Sequence, residues 1–416
     1  MTSKAITSFR AIAKDGIVRL SGYKSTPCFQ NAESETLFEK IRVWRKEEVD
    51  FQFGQDYAEY FDGMTNSAAT LIHEGPLDIS NDRKLTFVDH NVTIGKTYTY
   101  WIAAAQGEPA GPVPVKVRDL NVWWSEDKIR AKMLELKEKY PDLVRLRKIG
   151  KTVEKRDLSA MVIGHGKKGI ALVGAIHAGE SGPELILAAV ESLLTDNAEL
   201  FKNVSILAVP VVNLDQRQRQ VRGVPWYIRT NSNGVDLNRN FPSDWDKIEL
   251  GYGLDSSDPD SMTYRGLSPA SEPEVQAVIS FLQKYRPIAI FSCHCLACVC
   301  GKRFLTAKCA VDNTDYGNNC KQIVKSYCEG YSRDLQGQPF NAGNLSFSTT
   351  AGSFATWCYR ELNVPAFDLE FSEDIEGCQT DKTDETLLKD NQRRHTEGIR
   401  SVMKKTGMCN PKREIM

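Results

Sequence analysis

The run Ile170-Ala171-Leu172-Val173-Gly174-Ala175-Ile176-His177-Ala178-Gly179-Glu180 decides how this chain reads. Ile170 to Ile176 is near-continuously apolar, the pattern of a strand buried on both faces. The run ends on an imidazole and a carboxylate three residues apart, where strand should give way to loop. With a second histidine from elsewhere, two His and one Glu form a zinc site with an open fourth position, which admits water for chemistry. Alone, His-x-x-Glu is a weak signal, because six His and 54 acidic residues produce such spacings by chance.

Working outward, the same kind of apolar run recurs at Val204 to Val212, Ile288 to Cys293 and Pro365 to Glu370. Between them, Pro183 through Leu194 and Pro273 through Leu282 read as helices, each opened by a proline in its first turn. An earlier helix starts after Ser125, an N-cap followed by Glu126 and Asp127. Its apolar positions Ile129, Met133, Leu136 and Tyr140 repeat at helical spacing. The alternation predicts an α/β domain with a mixed, mostly parallel, doubly wound sheet. Ligands of such sheets sit beyond the carboxyl ends of the strands. His177, His294 and Glu370 all fall at such ends.

A further block, Gly234-Val235-Asp236-Leu237-Asn238-Arg239-Asn240-Phe241-Pro242, is polar and has neither helical nor strand period. With His177 and Glu180 before it, His294 after Ile288 to Cys293, and Glu370 closing Val364 to Leu369, the chain resembles the zinc carboxypeptidase family. The matching blocks run from about Ile149 to Glu370, in the family's order. The resemblance implies one zinc ion on His177, Glu180 and His294, with Asp236 holding a ligating ring by its other nitrogen. It implies Glu370 as the general base that takes a proton from zinc-activated water and passes it to the leaving amine. Asp368 lies two residues earlier on the same expected strand face and is the nearest competitor for that role. Arg229 matches the arginine that stabilises the developing oxyanion. Asn238 and Arg239 match the pair that holds the substrate's free carboxylate, a task suited to a guanidinium fork.

Departures from the family pattern bear on the substrate. Gly179 stands where digestive members carry an arginine, and Asn213-Leu214-Asp215 replaces Asn-Pro-Asp. The family's mobile tyrosine falls close to Phe347, which has no hydroxyl. The stretch Gly352 to Glu370 looks more like bacterial murein-peptide members, which cleave the γ-D-glutamyl–diaminopimelate bond. No charged side chain marks the floor of a specificity pocket, and Phe354 would make that pocket apolar. The substrate expected is thus a peptide or a murein peptide. Two rivals remain: a zinc deacylase of acyl-amino acids, and a non-catalytic binding protein on a peptidase fold.

Composition sets the frame. A chain of 416 residues exceeds one typical domain. A hydrophobic share of 41% with 26% charged residues suits a globular protein with a real core. A net charge of −1 gives no reason for electrostatic capture by nucleic acid, and no window is apolar enough to span a bilayer. The start, Met1 to Gly16, lacks a basic region followed by an apolar one, so the expected location is cytoplasmic. Of 11 cysteines, all but Cys28 lie between Cys293 and Cys409, and they read as mainly reduced thiols. Cys293, Cys295, Cys298 and Cys300 invite a second metal site, but small buried thiols are the plainer reading.

Residues 1–118 read as an all-β domain ahead of the catalytic domain, 119–416. Ile17 to Leu20, Leu37 to Trp44, Leu85 to Val88 and Tyr98 to Ala104 are short strand-like runs punctuated by turns such as Asp15-Gly16. Tyr98 to Ala104 followed by Val113 to Val117 resembles the end of a fibronectin type III sandwich, with Tyr98 or Tyr100 as its corner tyrosine. The stretch Asp50 to Asp82 reads as long and irregular. Such a module would act as a spacer or bind a protein or polymer partner. The last segment, Lys404 to Met416, reads as a frayed polar tail.

Overall fold

The computed structural model describes residues 5–25, 38–49, 64–105, 107–247, 256–294, 303–331, 344–370 and 385–408. The chain divides into two compact units, Met1–Trp123 with Arg219–Tyr227, and Trp124–Gln218 with Ile228–Met416.

Among its described residues the first unit holds seven strands, β1 (Ile6–Lys14), β2 (Ile17–Lys24), β3 (Ile41–Glu48), β4 (Thr70–Gly75), β5 (Lys84–Asp89), β6 (Thr97–Ala103) and β7 (Ala110–Lys116). They form a three-stranded sheet, β1-β2-β5, and a four-stranded sheet, β4-β3-β6-β7. Asp15 and Gly16 close the β1–β2 hairpin with positive φ of 53° and 75°. Two such residues match the right-handed twist of the flanking strands. Val18, Leu20 and Leu85 from one sheet and Val43, Tyr100 and Ile102 from the other share one core. β4 falls in the stretch that reads as irregular in sequence. Residues 219–227 are built into this unit: Ala13 N donates to Arg222 O at 2.8 Å and Lys116 N to Gly223 O at 2.7 Å. Gly223 has φ 117°, and a side chain there would run into Val115, so glycine is required.

The second unit holds an eight-stranded sheet of β8 (Val144–Lys151), β9 (Asp157–Ile163), β10 (Lys168–Gly174), β11 (Val204–Val209), β12 (Ala289–His294), β13 (Arg303–Ala307), β14 (Asn344–Thr349) and β15 (Ala366–Glu370). Its order is β14-β13-β15-β12-β10-β11-β9-β8. The central strands β15, β12, β10 and β11 run parallel. Antiparallel pairings of β9 with β11, β8 with β9 and β13 with β15 make the sheet mixed. Among the described residues the chain's α-helices are α1 (Glu126–Lys139), α2 (Gly182–Asp196), α3 (Leu214–Val221), α4 (Pro273–Tyr285), α5 (Thr314–Tyr331), α6 (Phe354–Trp357, continuing into a π-helical turn) and α7 (Glu385–Met408).

Side chains alternate across the central strands, so each face has its own core. Leu172, Phe291 and Phe367 pack with Leu136, Leu187, Tyr327 and Val402 on one face. Ala171, Val173, Leu207 and Ile290 pack with Val278 and Trp357 on the other. Each fully buried Leu, Ile, Val or Phe contributes about 1.5–3 kcal/mol, which explains why these strands read as unbroken apolar runs. Ser125 caps α1, its hydroxyl accepting from Lys128 N at 3.3 Å. One expectation fails at the C-terminus: residues 404–408 continue α7, because Val402 and Met403 are buried and hold its last turns in place. Residues 409–416 lie outside the described residues, as do Cys295, Cys298 and Cys300. The described cysteines, Cys293, Cys309, Cys320, Cys328 and Cys358, are free thiols, and burial pushes Cys293 up to about 12.

Candidate metal centre and active site

β10 ends at Gly174, two residues before its apolar run does. The reason lies in Ala175, whose φ of 45° turns the chain out of the strand. Left-handed backbone is costly for a residue with a Cβ and persists only where the surroundings enforce it. Here Val212 N and Asn213 N donate to the carbonyls of Gly174 and Ala175 at 3.0 and 2.9 Å. Gly182 packs its backbone against Gly174, where neither residue could carry a side chain. The turn delivers His177 and Glu180 into the interior, both essentially without exposure.

His294 arrives from the last position of β12, and in the parallel register it pairs with Glu370, the last position of β15. One register step earlier Ser292 pairs with Asp368. Since residues two apart share a strand face, Ser292, His294, Asp368 and Glu370 lie together. Glu370 is 5% exposed.

Both imidazoles turn Nδ1 to the same carboxylate: His177 Nδ1 lies 3.1 Å from Glu180 Oε1, and His294 Nδ1 lies 3.1 Å from Glu180 Oε2. One ligand atom from each of the three residues falls within 4.8 Å of the others. A tetrahedral zinc ion with bonds of about 2.0–2.1 Å spaces its donors roughly 3.3 Å apart, so the donor set and its packing fit that ion. Burial alone would raise the Glu180 carboxyl, but His294 and His177 outweigh it and hold it well below the usual range. Burial alone would lower His294, but Glu180 and Asp368 outweigh it and hold its pKa well above the usual value.

The other ring nitrogen of each histidine is also held. His177 Nε2 lies 3.1 Å from Asp236 Oδ1, and Arg229 Nε donates to Asp236 Oδ2 at 2.8 Å. Burial pushes the Asp236 carboxyl up, but the charges of Arg229 and His177 hold it well below the usual range. His294 Nε2 lies 3.0 Å from Ser292 Oγ and 3.5 Å from Asp368 Oδ1. Asn238 N donates to Asp236 Oδ1 at 2.9 Å, and its Nδ2 donates to Asp368 Oδ2 at 3.1 Å. Asn238 Oδ1 accepts from Phe354 N at 2.8 Å, and Arg239 is half-buried, donating from Nη1 to Asn238 O at 2.9 Å.

All eight residues singled out in sequence thus lie in the second unit, and hydrogen bonds, ion pairs or strand register link them to one another. One other reading changes. Phe354 is 1% exposed and packs against Phe241, so its ring belongs to the core and not to an open pocket. Phe347 sits in β14 with its ring tip toward Gly317 of α5. Two supporting residues, Arg217 and Gln216, carry no sequence signal of their own, and a third, Asn213, stands out only as part of the replaced Asn-Pro-Asp. Arg217 is fully buried and donates from Nη1 to Ala178 O at 3.2 Å and Glu180 O at 2.8 Å, while its Nη2 pairs with Glu184. Asn213 Nδ2 donates to Thr230 O at 2.9 Å, and Gln216 Nε2 to Asn231 O at 3.1 Å. The signal was present in Asp215-Gln216-Arg217-Gln218, a polar helix placed directly after a buried strand. Its polar groups brace the backbone beside Glu180 and Arg229.

The sequence profile of the zinc carboxypeptidase family matches residues 129–395. Human carboxypeptidase D is 29% identical over 259 residues, covering 54% of this chain and 17% of that protein. Murein peptide amidase A of Escherichia coli K12 is 41% identical over 148 residues, covering 35% of this chain and 51% of that protein. The chain therefore spans about half or less of these relatives. Among solved structures, bovine thrombin-activatable fibrinolysis inhibitor bound to tick carboxypeptidase inhibitor superposes with a TM-score of 0.57 at 22% identity, covering 69% of this chain and 98% of that one. Carboxypeptidase A of Helicoverpa armigera gives 0.56 at 18% identity, covering 70% and 76%. At such identities these two matches speak to fold alone. With a profile match across most of the second unit and the His177, Glu180 and His294 metal site inside it, the chain belongs to the zinc carboxypeptidase family.

Proposed function

We propose that this protein hydrolyses an amide bond next to a terminal residue that carries a free carboxylate. The observation that carries the reading is the shared carboxylate of Glu180, gripped by Nδ1 of both imidazoles, with buried Glu370 in register beside His294. Zinc bound there supplies a Lewis acid that polarises a carbonyl and lowers the pKa of water to about 7.

The chain's own residues do the rest. Glu370 takes the proton of the attacking water and delivers it to the departing amine. Arg229, fixed through Nε by Asp236, stabilises the oxygen that gains charge, a contribution of roughly 3 kcal/mol for a well-placed donor. Arg239 binds the terminal carboxylate through its fork. Asn238 has two N–H donors, of which one goes to Asp368, so the second can join that clamp.

Glu370→Gln tests the base. Zinc content should stay unchanged while turnover falls by about 10²–10⁴-fold. Turnover at the native rate would remove Glu370 from the reaction, and loss of zinc would make it a ligand.

A second reading, hydrolysis of the γ-D-glutamyl–diaminopimelate bond, is favoured by the 41% identity to murein peptide amidase A. A murein tripeptide assayed beside peptides ending in ordinary L-residues separates the two. Cleavage of only the latter ends the murein reading.

A further inference from the structure

The zinc reading makes His177 and His294 equivalent ligands, yet only His177 has been given a carboxylate behind it. The geometry points to Asp368 as a positioning residue that does for His294 what Asp236 does for His177. This inference rests on the metal-site reading and concerns how the chain prepares that site.

The two imidazoles have the same arrangement. Each presents Nδ1 to Glu180 and turns Nε2 away, toward a buried carboxylate. Asp368 is 3% exposed and its Oδ1 lies 3.5 Å from His294 Nε2, with Ser292 Oγ closer at 3.0 Å. When Nδ1 holds a metal, the ring must carry its proton on Nε2, and that N–H needs an acceptor. Ser292 and Asp368 together meet it. Beyond this contact, Asp368 Oδ1 has no hydrogen-bond partner among the described residues, and it faces the imidazole edge at 3.5 Å. A buried carboxylate oxygen without a polar partner is costly, so the ring N–H in front of it is its natural donor. The rest of Asp368 is fixed by Asn238 Nδ2 at 3.1 Å, and the same residue's backbone N–H fixes Asp236 at 2.9 Å. Asn238 therefore stands between the two carboxylates and sets both.

A carboxylate behind a ligating imidazole orients the ring and raises its basicity, and its loss costs about 10–100-fold in metal affinity. The test is zinc affinity of the full chain, measured by competition with a chromophoric chelator. Asp368→Asn keeps shape and removes charge, and should weaken zinc binding by about 10–100-fold. It should also move the visible absorption of the cobalt-substituted protein, a signature that a packing defect elsewhere would leave alone. Native-like zinc affinity in folded Asp368→Asn would overturn the proposal. So would altered preference among C-terminal residues at unchanged affinity, which would make Asp368 a substrate-selecting group. If Asp368→Asn does not fold, Asn238→Ala decides. It should weaken zinc several-fold in the same direction, and unchanged affinity there would equally overturn the inference. A native chain that binds no zinc would instead remove the metal-site reading beneath it.

Discussion

Asp89 in the first unit and Glu180 in the second are both buried carboxylates, and their surroundings differ in kind. Asp89 Oδ2 accepts from Arg45 Nη1 at 2.8 Å and from the Tyr100 hydroxyl at 3.0 Å, while Oδ1 accepts from Asn91 N at 2.9 Å. Arg45 is permanently charged, so that site is complete as it stands. Burial and the Asp89 charge push the Tyr100 hydroxyl far up, which keeps it a donor. Glu180 has two imidazoles in place of a fixed cation, and their charge is optional. A buried carboxylate with a permanent partner is a structural fastening. One shared between two ring nitrogens is a place for a cation.

That contrast can be broken most severely by the matched pair Glu180→Ala and Asp89→Ala. Glu180→Ala should lose zinc and depress hydrolysis by roughly a thousandfold or more, since a catalytic metal contributes several kcal/mol to the barrier. Without metal its stability should fall less than that of Asp89→Ala, because an imidazole can give up its charge and a guanidinium cannot. Asp89→Ala should keep its zinc and lose about 2–4 kcal/mol of stability, because Arg45 cannot give up its charge. Denaturant titration beside metal analysis reads both. Zinc loss from Asp89→Ala would undo the distinction.

A gentler test uses pH. In metal-free protein the carboxylates of Glu180 and Asp368 outweigh burial and hold the His294 pKa well above its ordinary value. A raised pKa contributes stability that is fully present below the unfolded value of about 6.5 and is lost as pH rises through the folded value. Melts of the chelated protein should therefore decline as pH climbs above about 6.5, and zinc uptake in that range should release protons. The zinc-loaded protein, whose ligating rings carry no acidic Nδ1 proton, should show no such decline. Flat melts of the chelated protein would contradict the proton-for-metal exchange.

Legibility followed burial. Ile170 to Ile176, Ile288 to Cys293 and Val364 to Leu369 announce themselves because strands covered on both faces admit little but apolar residues. The groups at their ends, His177, His294 and Glu370, stand out against that background. β8, β9, β13 and β14 did not, since strands toward the rims of the sheet mix charge with apolar residues, as Val144-Arg145-Leu146-Arg147 does. α3 was hidden for the opposite reason. Asp215 and Arg217 are buried and polar because their partners are backbone atoms and residues distant in sequence, which no local pattern displays. Asp368 was visible only as a rival to Glu370. Its link to His294 depends on the register of β12 against β15.

The central claim is that His177, Glu180 and His294 hold one ion that makes this chain an enzyme. Elemental analysis of the purified full chain, before and after dialysis against a strong chelator, with peptide release measured on each sample, tests it most directly. The account predicts one zinc per chain, its removal together with activity, and recovery of both on adding back one equivalent. Peptide release that persists in metal-free protein, or a purified chain that takes up no zinc, would contradict it.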